Sequence, residues 1–69
     1  LLKKRSLLLA GHATSLALEP EFWAVLEAMA AAEGLSLAAL IARIDAARGH
    51  SLLASACRVR ALNWAGRQG

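Results

Sequence analysis

The stretch Ala13-Thr14-Ser15-Leu16-Ala17-Leu18-Glu19-Pro20-Glu21-Phe22-Trp23 decides the fold. Its first six residues alternate. Thr14, Leu16 and Leu18 share one face of an extended chain, and Ala13, Ser15 and Ala17 share the other. At Glu19-Pro20-Glu21 the period changes. Proline's fixed φ suits the first helical turn, and acids there complement the positive end of the helix dipole. From there Phe22, Val25, Leu26, Met29 and Ala30 follow the spacing of one buried helical stripe. A strand therefore runs directly into a helix.

Working outward, Gly34 is a natural stop for this helix. Ser36 is the expected N-cap of a second helix, with Leu37, Leu40, Ile41 and Ile44 as its apolar face. Asp45 and Arg48 stand three apart and can pair on its surface, and Gly49 ends it. A third helix is expected after Ser51, with Leu52 or Leu53, Ala56, Val59 and Leu62 turned inward. Trp64 falls at its frayed end. Upstream, Ser6 to Ala10 is a short apolar segment, and Gly11-His12 is the expected hairpin turn. The organisation read from this is a basic arm over 1–5, one domain over 6–64 and a tail over 65–69. No internal repeat is visible.

Composition limits what such a chain can be. It has 69 residues, of which 58% are apolar. A domain this short buries only about 60% of its unfolded surface and usually needs a disulfide, a metal or a partner chain. A lone cysteine, Cys57, allows no internal disulfide. It reads as a small buried hydrophobe and points to a reducing compartment, so the cytoplasm is expected. With His12 and His50 it makes no plausible metal set, and no cofactor is expected. An obligate oligomer is the remaining option, and a lone hairpin also needs something to pair with. The apolar run after Lys3-Lys4-Arg5 is too short for a secretory leader, and no stretch has the ~18 apolar residues of a membrane span. The start at Leu1 rather than Met implies sequence upstream. No activated nucleophile, acid–base pair or small-molecule pocket is legible, so no enzyme is expected.

The formal net charge is +3. Lys3, Lys4 and Arg5 cluster at the start, Arg58, Arg60 and Arg67 lie near the end, and most acids fall between. This balance suits an anionic partner such as nucleic acid.

Taken together, Lys4-Arg5-Ser6, Gly11-His12, Thr14-Ser15, Leu18 to Trp23, Gly34 to Leu37 and Ile44 to Gly49 resemble a pattern of ribbon-helix-helix proteins of the Arc/MetJ class, most closely a small bacterial subfamily with a third helix. The resemblance covers about residues 4 to 62. It implies a mainly α fold with a short N-terminal β element. Two chains would intertwine as a homodimer through an intermolecular antiparallel β-ribbon. Leu16, Leu18, Phe22, Trp23, Leu26, Leu40, Ile41 and Ile44 would form the dimer core.

The function this implies is transcriptional regulation by binding double-stranded DNA. Ala13, Ser15 and Ala17 on the ribbon's outward face would enter the major groove. The start of the second helix, Leu35-Ser36-Leu37, would offer backbone N–H groups to phosphate. Lys3, Lys4, Arg5 and His12 would add backbone contacts, although the first three read equally well as a solvated terminus. Alanine and serine are poor readers beside the Arg, Lys, Asn or Gln that make bidentate contacts to bases. If residues 6–10 pair with 13–18, a dimer ribbon has four strands and spans roughly 14 Å, wider than the ~12 Å major groove. An alternative is therefore a protein-interaction or assembly module, antitoxin-like or adaptor-like, that has lost base readout and takes a protein partner.

Overall fold

The computed structural model describes residues 1–68. Strand β1 (Lys3–Leu9) pairs antiparallel with β2 (His12–Leu18), and three helices follow: α1 (Pro20–Glu33), α2 (Leu37–Ala47) and α3 (Leu53–Gln68). This two-stranded sheet followed by helices is the ribbon-helix-helix order with a third helix appended.

The hairpin turn is Ala10-Gly11, one residue earlier than the expected Gly11-His12. Ala10 has φ 50° and Gly11 φ 82°. Positive φ at both central residues is the type I′ turn whose twist matches the strands it joins. His12 is consequently the first residue of β2, opposite Leu9. The expected basic arm over residues 1–5 is strand from Lys3 onward. Lys3, Lys4 and Arg5 open β1 and pair with Leu18, Ala17 and Leu16. The indole Nε1 of Trp23 donates to the Lys3 carbonyl at 2.8 Å, which fastens the start of β1 to α1.

Helix α1 begins as its sequence dictates, with Pro20 in the first turn. It ends at Gly34, where φ is 68°. The Leu35 N–H returns to the Ala30 carbonyl at 2.8 Å and the Gly34 N–H to that of Ala31 at 3.2 Å. That pair of bonds is a Schellman cap, which satisfies two end carbonyls and needs the left-handed backbone of glycine. Two residues later the Ser36 hydroxyl accepts from the Ala39 N–H at 3.1 Å and starts α2. The Asp45–Arg48 pair forms at 2.6 Å near its end.

The core lies between the inner face of the hairpin and the three helices. It holds Leu9, Leu16, Leu18, Trp23, Leu26, Met29, Ala30, Leu40, Ile41, Ile44, Cys57 and Ala61. Helix α3 turns inward only part of the expected set, Leu53 and Ala56. Cys57 and Ala61 are buried with Leu53 and Trp64 packed beside them, whereas Leu52, Val59 and Leu62 are exposed. Small side chains let α3 approach α1 closely, and the large aliphatic stripe is left outside. The helix continues through the expected tail to Gln68; Gly69 lies outside the described residues.

Candidate nucleic-acid interface

The two strands share one alternation. Facing the helices are Lys3, Arg5, Leu7 and Leu9 of β1 with Leu18, Leu16, Thr14 and His12 of β2. Facing away are Lys4, Ser6 and Leu8 opposite Ala17, Ser15 and Ala13. Five of these six outward residues are exposed, and Ala17 is half-buried. The sequence-expected ribbon face is thus outward and contiguous, but it has a second row contributed by β1. No carboxylate lies on either strand. The face is smooth and neutral apart from one ammonium, Lys4.

The basic cluster is divided by the pleat. The Arg5 guanidinium turns inward, 4.8 Å from the Trp23 ring, and pairs with Glu27 at 3.3 Å. Packed on an aromatic face and engaged by a carboxylate, it braces β1 against α1. Lys3 shares that side, at the mouth of the core. Lys4 points the other way and makes no ion pair among the described residues. His12 is exposed at the tip.

The residues expected at a phosphate, Leu35, Ser36 and Leu37, form the α1–α2 junction. Leu35 and Leu37 pack against the core, so only backbone is offered there, and the Ser36 hydroxyl is occupied by its cap bond. The first N–H groups of any helix lack internal acceptors, as at this one.

Of the residues expected in a dimer core, Leu16, Leu18, Trp23, Leu26, Leu40, Ile41 and Ile44 are buried within the single chain, and Phe22 is half-buried. The elements of this one chain cover them. Pairing β1 with β2 supplies a second ribbon strand from the same molecule, and α3 supplies an extra helix.

One brace was missed by sequence reading. Arg58 of α3 donates from Nε to the Glu19 carboxylate at 2.9 Å and lies 5.9 Å from the Phe22 ring. It ties the third helix to the strand–helix corner. The hydrogen bond from Arg58 holds the Glu19 carboxyl below its ordinary value. Thirty-nine residues separate the pair, so no local spacing signals it.

The rest of the surface offers little chemistry. Burial pushes the Cys57 thiol up to about 11, with Asp45 acting in the same direction. It is therefore a neutral core group rather than a nucleophile. A cleft of about 230 Å³ between α2 and α3 is lined by Ile44, Ala56, Val59, Arg48 and Arg60 among others. No cluster that could hold a metal occurs among the described residues, and no helix is long and apolar enough to cross a membrane.

Residues 2–65 match the family model of a ribbon-helix-helix domain. Neither a curated protein nor a solved structure gives a significant match.

Proposed function

The chain belongs to the ribbon-helix-helix domain family, and on that premise we propose that it is a transcriptional regulator that places the outer face of its β1–β2 hairpin in the DNA major groove. The family is generally one of non-enzymatic DNA-binding regulators whose domains typically bind as dimers. The observation that carries the reading is the outer face itself. It is largely exposed, free of carboxylates and backed by the core. It is also only two strands wide, and a major groove admits a two-stranded ribbon. Lys3 and His12 flank it for phosphate, with the N–H groups of Leu37 and its neighbours as a further anchor. A homodimer would present two such heads to two half-sites in a bacterial cytoplasm.

The same hairpin sets a competition. A two-residue turn closed by Leu9 and His12 leaves the backbone N–H and C=O groups of Ala13, Ser15 and Ala17 directed to the free edge of β2. If a second copy pairs along that edge, the sheet becomes four strands and about 14 Å wide, too broad for the groove. That use of the edge, with Leu8 66% exposed on the outer face, favours the second reading, an assembly module with a protein partner.

Fluorescence anisotropy with random-sequence duplex DNA across a salt series separates the two. DNA reading predicts a steep loss of affinity with salt. Ser15→Glu and Ala17→Glu each abolish binding while the circular dichroism spectrum stays that of the parent. Parent protein that fails to bind duplex at low salt, or variants that bind unchanged, would overturn the proposal.

A further inference from the structure

We infer that the outer face of α3, with the cleft beside it, is a second interaction surface, and that its partner is an amphipathic helix whose apolar stripe is flanked by carboxylates. The inference goes beyond the use of the hairpin and holds whether or not the hairpin reads DNA. No residue of β1 or β2 lines the cleft or belongs to α3.

The face has an apolar seam. Leu52, Val59 and Leu62 are 76%, 54% and 68% exposed. With Ser55 and Gly66 they follow alternating steps of three and four residues, the spacing by which one helix lies along another. Ser55 and Gly66 are exposed as well, and side chains this small leave room for those of a facing helix. Val59 also lines the cleft of about 230 Å³ between α2 and α3, with Ile44, Ala47 and Ala56. The seam therefore has an apolar socket next to it. A flat lipid surface would cover the seam and leave the socket empty, whereas a side chain projecting from a helix can fill it.

Charge selects the partner. Helix α3 carries three arginines and no carboxylate. Arg58 is engaged by Glu19 on one side of the helix. Arg60 and Arg67 flank the seam on the other side and make no ion pair among the described residues. They stand seven residues apart in the helix, about 10.5 Å along its axis. Arg60 lines the cleft together with Arg48, whose guanidinium is held by Asp45. A second copy of α3 laid on this face would set arginine against arginine, with no carboxylate on either helix. The complement is a helix with apolar residues along the seam and Glu or Asp two turns apart on one flank, facing Arg60 and Arg67.

The test is selection from a displayed library of helical peptides randomised at seam and flank, with the full chain as bait. Enriched peptides should combine an apolar stripe with Glu or Asp on one flank. The most enriched peptide, and a version with lysine in place of each acid, are then titrated by fluorescence anisotropy. Leu62→Ala and Val59→Ala should each weaken the acidic peptide about tenfold, the loss typical of an anchor residue. Their melting temperatures should stay those of the parent, because both side chains are exposed. Arg60→Glu should weaken the acidic peptide and strengthen the lysine version, a reversal that no role in the fold would produce. Lys4→Glu, the same change of charge on the hairpin, should weaken the acidic peptide far less. The inference falls if the library yields no peptide or basic ones, or if Leu62→Ala binds like the parent. It also falls if Leu62→Ala lowers the sedimentation coefficient, which would make the face a contact between copies, or releases the chain from phosphatidylserine vesicles, which would make it a membrane face. Arg60→Glu should keep the parent's salt slope for duplex DNA, since that slope counts phosphate contacts. A shallower slope would place α3 on DNA and overturn the inference, while a parent that binds the peptide but no duplex would overturn the DNA reading alone.

Discussion

Individual side chains here take their roles from the face on which the pleat or the helix sets them. Lys3, Lys4 and Arg5 look equivalent in sequence, yet one stays at the mouth of the core, one faces outward and one is engaged by Glu27. The alternation of residues 13–18 was legible because apolar and polar positions differ there. That of residues 3–9 was not, because three leucines in succession hide the period. Trp23 is a dimer-core residue in the resemblance, and within the chain its N–H also clips α1 to the Lys3 carbonyl of β1. Cys57 was legible as a buried hydrophobe, and its environment makes a prediction. Its thiol should resist iodoacetamide at pH 8 in the folded protein and react fully in denaturant, as peptide mass will show. The folded value of about 11 stands above the ordinary 9.0. Below 9 the group is neutral in both states. Between 9 and about 11 only the unfolded thiol ionises, so stability should fall as pH rises through that window, by an amount chemical denaturation can follow. Equal alkylation of native and denatured chains would show Cys57 to be exposed.

At the level of elements, starts and stops were the most readable features. Pro20, Gly34 and Ser36 carry local chemistry that fixes φ or satisfies an end group regardless of tertiary context. The preference of glycine for the first turn position misplaces the hairpin turn by one residue, because Gly11 is the second central residue and Ala10 bears the first positive φ. An alanine in that region is strained by about 1 kcal/mol or more. Asparagine followed by glycine is the favoured type I′ pair, so Ala10→Asn should stabilise the protein by about 0.5–1 kcal/mol in urea titration. An unchanged or lowered midpoint would mean that the turn is not of this type. The inward face of α3 is legible only in part, for a different reason. Two stripes compete on that helix, Leu52, Val59 and Leu62 against Leu53, Cys57, Ala61 and Trp64. Hydrophobicity favours the first, but close approach to α1 favours the second, and only the packed structure decides.

For the whole molecule, the fold class and strand–helix order were legible from residues 13–49, but the pairing of β1 with β2 and the part α3 takes in the core were not. Composition argues that 69 residues cannot cover this much apolar surface. The single chain has a radius of gyration of 11.3 Å, close to the ~11 Å of a compact domain of this length. What composition cannot reveal is that β1 occupies the ribbon position next to β2 and that α3 closes the core. The melting temperature should therefore change little over a hundredfold range of protein concentration. In an obligate dimer it rises with concentration, because assembly and folding are coupled. A marked rise by differential scanning fluorimetry would show that a second chain completes the fold.

The two-residue turn has a further, kinetic consequence. Where a ribbon is made from two molecules, its formation waits on their encounter, so its rate depends on how many chains are present. Here β1 and β2 are tethered through Ala10-Gly11. Hairpins of this kind zip in about 1–10 μs. Ribbon formation becomes a unimolecular event, available to a single newly made chain before it has met another.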